Sequence, residues 1–348
     1  MHTSIVMTFQ STNPFTNRVE AEFEEHSSSY VASVLERSAQ SYQFWSRESY
    51  RSRAKRFKTL ADLLEDKKEE LAGLMTSEMG KVISEGRSEI EKCAWVCRYY
   101  AENAASFLKD EPLASDVKKS WISYESLGTV LAVMPWNFPF WQVFRFAAPT
   151  LMAGNCGLLK HASNVPQCSQ AIEDIFVEAG FPVGVFQHLL ISSGRVESLI
   201  EDERVKAVTL TGSEYAGSKV AEAAGKNIKP SVLELGGSDP FIVLDDADLD
   251  KTARVAAKAR LINTGQSCIA AKRFIVVERI YDQFLEKFKA FMKTYVPDDP
   301  TIESTKIGPM ASSGFAEDLK EQVDESVKKG AKIALGGELM DRQGAFFQ

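Results

Sequence analysis

The feature that most constrains how this chain folds is an alternation of short apolar runs with helix-length segments through its central part. Gly128 to Met134 is a compact β-branched and apolar run suited to a buried parallel strand. Cys156 to Leu159, Phe186 to Leu190 and Val205 to Leu210 read as further strands, and Phe140 to Met152 and Val165 to Ala179 as the helices between them. Strands and helices in that order imply a doubly wound parallel sheet with right-handed crossovers. The alternation resumes after Glu234, with strands at Phe241 to Leu244 and Phe274 to Val277 and helices at Asp248 to Ile262 and Tyr281 to Tyr295, so a second α/β domain or the remainder of one large one is expected. A helix over Glu317 to Lys329 follows.

Upstream, Tyr30 to Leu108 is helical in pattern, with Leu60, Leu63, Leu64, Leu71, Leu74 and Met75 three or four apart among many charges. Lys118 to Tyr124 alternates as a strand does. Residues 1 to about 28 are polar and unpatterned, and a loose N-terminal arm is expected there. A chain of 348 residues with 44% apolar content can form two domains or one large one with substantial cores. Its net charge of −7 supplies no basic field for nucleic acid, and no apolar run approaches the roughly 20 residues needed to span a bilayer. The five cysteines lack framework spacing, which favours a reduced, cytoplasmic setting. The four histidines are scattered, which argues against a histidine metal site.

The chemistry concentrates between Ser231 and Lys272. Glu234 ends a short apolar run before Gly236-Gly237, and Cys268 closes an N-T-G-Q-S-C turn after the helix that starts at Asp248. A helix between two Gly-containing turns can bring their side chains to one cleft. A thiol and a carboxylate facing one carbon suit a covalent thio-intermediate hydrolysed by water that the carboxylate deprotonates. Read by itself, Cys268 is more readily a small buried hydrophobe, and Glu234 a solvated strand-end acid. Gly212-Ser213, with Gly217 a turn later, places a helix N-terminus after a strand; that arrangement is either a common cap or a phosphate site.

E-L-G-G at Glu234 to Gly237, G-Q-S-C at Gly265 to Cys268, P-W-N-F-P at Pro135 to Pro139 and G-S-E-Y-A-G at Gly212 to Gly217 together resemble the aldehyde dehydrogenase superfamily, in its motif order. Ile307 to Met310 matches a further short motif. The resemblance implies a Rossmann-like cofactor domain over residues 30–116 and 127–233, with residues 117–126 belonging to an oligomerisation hairpin. It also implies a catalytic domain from residue 234 to 348, incomplete because the chain stops before the family's E-x-F-G-P motif and final strand. Weak activity, or cofactor binding without turnover, is therefore expected of the chain as it stands.

By the same resemblance Cys268 is the nucleophile, Glu234 the general base for thioester hydrolysis, and the Asn137 side chain with the Cys268 N–H the oxyanion donors. Pro135, Trp136, Lys160, Ser163, Gly212, Ser213, Gly217 and Leu235 match cofactor-binding positions. Many NAD-using members carry a glutamate where this chain has Ser163, so NADP is expected, with NAD possible. Arg145, eight residues after Asn137, corresponds to the arginine of succinate-semialdehyde dehydrogenases and would pair with a substrate carboxylate; otherwise it is a solvated or structurally paired arginine. The second arginine that some of those enzymes carry is Ile262 here. The resemblance thus implies oxidation of an aldehyde, succinate semialdehyde foremost, to its acid with NAD(P)+, by a homo-oligomer in the full-length family. A cysteine hydrolase or acyltransferase could use the same thiol and base, but would leave Lys160 and the Gly212-Ser213 cap without a role.

Overall fold

A computed structural model describes residues 8–348. Strands β1 (Thr8–Asn13) and β2 (Arg18–Glu24) pair into a two-stranded sheet. They replace the loose arm expected from the sequence, and residues 1–7 of that arm lie outside the described residues. Besides the strand pairing itself, polar side chains link the two strands, so no apolar alternation marks them: Gln10 Nε2 donates to Glu22 Oε1 and Asn13 Nδ2 to Glu20 Oε1, each at 2.8 Å. Helices α1 (Ser28–Trp45), α2 (Tyr50–Asp66), α3 (Lys68–Met79) and α4 (Ile83–Phe107) follow, then β3 (Glu111–Leu113) antiparallel to β4 (Ser120–Ile122).

The chain divides into two compact units. The first contains residues 22–71 and 87–235 with the stretch up to Gln10, and the second residues 11–21, 72–86 and 236–348. Residues 72–86 therefore join the second unit, although both ends of the stretch lie inside helices, α3 and α4. Their anchors are there: Ile83 N donates to Pro300 O at 2.9 Å, and Asn263 N to the Glu85 carboxylate.

The first unit is built on β5 (Thr129–Val133), β6 (Cys156–Lys160), β7 (Phe186–His188), β8 (Val205–Thr211) and β9 (Ser231–Glu234), all parallel in the order β7-β6-β5-β8-β9. Helices α5 (Trp141–Met152), α6 (Pro166–Glu178), α7 (Val196–Glu201) and α8 (Glu214–Lys226) alternate with them. Val34 and Leu35 of α1 and Val220 and Ala223 of α8 share one core with Leu131, Leu158 and Val208 of the sheet. Phe144 of α5 stacks on Phe176 of α6, which stacks on Phe186 of β7. Both faces being covered, β6 is buried at every residue, as its unbroken apolar run demands. Before α1, His26 N donates to Leu190 O and Ser192 N to the Glu25 carboxylate, which fixes the segment entering the unit.

In the second unit β10 (Pro240–Val243) runs parallel to β11 (Arg273–Val276), crossed over by α9 (Leu249–Leu261). Helices α10 (Tyr281–Met292) and α11 (Ser313–Lys328) complete the labelled elements. The core is Val243, Ala253, Ala256, Ile280 and Phe284, with Phe241, Phe274 and Phe288 against it, while the register partners Ile242 and Ile275 face outward and are exposed. Helix α11 begins four residues before the expected Glu317, because Ser312 caps it by accepting from Phe315 N.

Candidate active site

In the second unit the chain leaves α9 through three successive left-handed residues, Asn263 (φ 54°), Thr264 (φ 56°) and Gly265 (φ 75°). Two of them are not glycine, and each such residue costs on the order of 1 to 3 kcal/mol unless its surroundings hold it. Here they do. Asn263 N donates to Glu85, Asn263 Nδ2 to Gln266 O, and Gly308 N to Thr264 Oγ1. Ala311 N donates to Gln266 Oε1 at 2.9 Å, and Arg260 donates to both Gly265 O and Ala271 O at 3.1 Å. The Ile307 to Met310 motif is thus a brace for the turn.

This turn presents Cys268 to solvent. The other four thiols are buried. Burial pushes Cys156 up to about 12 and raises Cys97 further, which leaves them poor nucleophiles. The reading of Cys268 as a buried hydrophobe is therefore wrong for this fold. The Lys272 ammonium donates to both Cys268 O and Gly237 O at 2.7 Å, tying the turn to the glycine loop after Glu234. Neither Lys272 nor Glu85 stood out in the sequence.

In the first unit the remaining candidates gather at the carboxyl ends of the strands, where open parallel sheets bind ligands. Glu234 is the last residue of β9, in register with Thr211 of β8, and Gly212 N donates to its carbonyl. Arg145 reaches from α5 to both: its Nη1 lies 3.8 Å from Glu234 Oε2 and its Nη2 donates to Thr211 Oγ1 at 3.4 Å. Asn137 sits between β5 and α5, its Oδ1 accepting from Phe138 N at 3.1 Å. Helix α5 has no side-chain cap of its own. Glu89, buried on α4, serves instead, accepting from Phe140 N and Trp141 N at 2.9 Å each. His161 anchors the same loop through Nε2 to Pro139 O at 2.9 Å while its Nδ1 accepts from Ala162 N, a neutral tautomer; burial holds its pKa down to about 4. Pro135 and Trp136 are half-buried beside it.

Lys160, Val133, Leu210 and Leu233 form one register row across the sheet. Val133 and Leu210 also line a cleft of about 540 Å³ together with Ser193, Tyr215, Ala216 and Lys219. Beside it Ser213 caps α8, its Oγ accepting from Ala216 N at 3.2 Å. Gly217 has a steric reason: a Cβ there would stand 2.6 Å from Leu235 Cδ2, so the glycine lets Leu235 close on the helix. Lys160 is buried, and desolvation lowers its pKa. Lys160, the exposed Ser163, Gly212 and Ser213 adjoin the cleft in sequence and register without forming its wall. The free N–H groups at the start of α8 and the lysine at the end of β6 suit a dinucleotide phosphate. Among the described residues no group of three or more histidines, cysteines or carboxylates could hold a metal ion, and no helix is long and apolar enough to cross a membrane.

The model of the aldehyde dehydrogenase family matches residues 2–348. The succinate-semialdehyde dehydrogenase (NADP+) 1 of Mycobacterium bovis is 48% identical over 346 residues, 98% of this chain and 75% of that protein. The succinate-semialdehyde dehydrogenase (NADP+) of Mycobacterium avium is 47% identical over 345 residues, 98% of this chain and 73% of its own. The crystal structure of succinic semialdehyde dehydrogenase from Streptococcus pyogenes in complex with NADP+ superimposes with a TM-score of 0.95 at 39% identity, covering 97% of this chain and 74% of that one.

Proposed function

This chain belongs to the aldehyde dehydrogenase family, and we propose that it oxidises an aldehyde carrying a far carboxylate, succinate semialdehyde foremost, to the acid with NADP+. The observation that carries the reading is Cys268: the one exposed thiol of five, on a strained turn braced from four sides. Names and ligands of the similar proteins support the substrate and the cofactor.

In the proposed reaction the Cys268 thiolate adds to the aldehyde carbon, and the Asn137 side chain and the Cys268 N–H donate to the oxyanion that forms. Ser213 and the α8 N-terminus, Gly217, Leu235, Lys160 and Ser163 would hold the cofactor, with Pro135 and Trp136 beside it. The bound nicotinamide supplies the acceptor for the hydride that the adduct loses. Collapse of the oxyanion leaves a thioester on Cys268. Water then adds to the thioester carbonyl as Glu234 takes its proton, the C–S bond breaks, and the acid leaves with the thiolate restored. Arg145 pairs with the substrate's carboxylate.

Exposed Leu113, Trp121 and Ile122 on the β3–β4 pair support a homo-oligomer that uses this hairpin. Free thiols throughout support a cytoplasmic setting, and the acidic balance supports a small molecule rather than nucleic acid as partner. The test is Glu234→Gln mixed with succinate semialdehyde and NADP+. A succinyl adduct on Cys268 should accumulate and be visible by intact mass. Free thiol throughout, with reduced cofactor still forming, overturns the assignment of Glu234.

A further inference from the structure

Resting on that reading, we infer that Arg145 is also a positioning residue for Glu234, and that the substrate's far carboxylate releases Glu234 by taking the guanidinium from it. From α5 the Arg145 side chain spans two adjacent strand ends, with Nη1 3.8 Å from Glu234 Oε2 and Nη2 on Thr211 Oγ1 at 3.4 Å. Thr211 and Glu234 are register partners, so the guanidinium closes a three-residue cluster across β8 and β9. All three line one groove of about 510 Å³ with Met134 and Gln142.

A guanidinium and a carboxylate at their best meet through two parallel hydrogen bonds of about 2.7 to 2.9 Å. Neither contact of Arg145 has that form: one is a single ion pair at 3.8 Å, the other a hydroxyl contact at 3.4 Å. The side chains of Arg145 and Glu234 are 40% and 54% exposed, so water and ligand can reach between them. Such a pair is weak and easily exchanged. A substrate carboxylate docking on the fork gains the bidentate geometry that Glu234 lacks. Glu234 then loses the cation that orients it and can turn toward the water it must deprotonate. An acyl group without a far carboxylate leaves Arg145 on Glu234, and its thioester should hydrolyse more slowly. Arg145 thereby selects substrate twice, at binding and again at deacylation.

The experiment isolates deacylation, without hydride transfer. The protein is acylated with para-nitrophenyl butyrate or with the mono-para-nitrophenyl ester of succinate. The Cys268 thiolate attacks the ester carbonyl, the C–O bond breaks, para-nitrophenolate leaves, and a butyryl or succinyl thioester remains. Its decay by hydrolysis is followed by intact mass. The succinyl form should decay about two- to fivefold faster than the butyryl form, the range set by an exposed ion pair. Arg145→Gln should raise the butyryl decay rate by a similar factor and erase the difference, whereas a merely structural role would slow both. Arg145→Lys, which keeps the charge without the fork, should give an intermediate ratio and covers the case in which Arg145→Gln misfolds. Equal decay of the two acyl forms in the unaltered protein, or a ratio unchanged by Arg145→Gln, overturns the inference while leaving the proposed function intact. Absence of any acyl adduct on Cys268 overturns both.

Discussion

Glu89→Ala should destabilise the first unit more than any surface change of the same size. The Glu89 carboxylate, buried on α4, accepts from Phe140 N and Trp141 N at 2.9 Å, and α5 has no cap of its own. Alanine leaves two donors at the helix start without that acceptor. Phe140 is fully buried, so its N–H costs about 1 to 3 kcal/mol when unsatisfied; half-buried Trp141 recovers part of its share from water. Loss of an anion at a helix N-terminus adds roughly 0.3 to 1 kcal/mol. The sum is about 2 to 5 kcal/mol. Glu89→Gln keeps an acceptor oxygen and loses only the charge, so it should cost about 1 kcal/mol. Urea unfolding followed by tryptophan fluorescence measures both. Alanine and glutamine variants within 0.5 kcal/mol of each other would refute the capping role. Because α5 carries Arg145 and follows Asn137, Glu89→Ala should also weaken selection between aldehydes in the protein that remains folded.

Arg145→Ala should lower kcat/KM for succinate semialdehyde about ten- to over a hundredfold, the loss of a charge-assisted pair, with far less effect on butanal; equal losses on both would dismiss it as the selector. Ser163→Glu, at an exposed position next to the end of β6, should shift preference from NADP+ toward NAD+ by like-charge repulsion of the 2′-phosphate, and an unchanged ratio of the two kcat/KM values would count against the cofactor assignment. Burial holds His161 down to about 4 and His188 down to about 3, so both stay neutral in the fold while an unfolded histidine protonates near 6.5. The sign is that stability falls as pH drops below 6.5, by about 1.4 kcal/mol per pH unit for each histidine until its folded value is reached. Urea midpoints flat between pH 7 and 5 would contradict this.

The central sheet was legible because strands buried on both faces must be continuous apolar runs, and β5, β6 and β8 begin and end within one or two residues of the expected positions. β1 and β2 were not legible, since their exposed residues pair through amide–carboxylate contacts that carry no period. Assignment of residues 72–86 to the second unit was hidden for a different reason: the ends of the stretch fall inside α3 and α4, and contacts across the sequence, such as those at Pro300, Asn263 and Pro309, reveal it. Cys268 and Glu234 stood out through the motifs that resemble the family, E-L-G-G and G-Q-S-C, and not through their local sequence alone. Their supports did not stand out. Glu89, Glu85 and Lys272 look like solvated charges, and Glu89 meets its partners 51 and 52 residues away. One clue was available: Pro139-Phe140 precedes α5 without a Ser, Thr, Asp or Asn, so its orphan N–H groups had to find an acceptor elsewhere.

The most direct test of the account is reduced-nicotinamide absorbance when the purified chain is mixed with NADP+ and succinate semialdehyde, with Cys268→Ala run beside it. Reduced cofactor should form in proportion to the aldehyde, and Cys268→Ala should still bind NADP+ yet form none. Equal reduction by the two proteins would contradict the account.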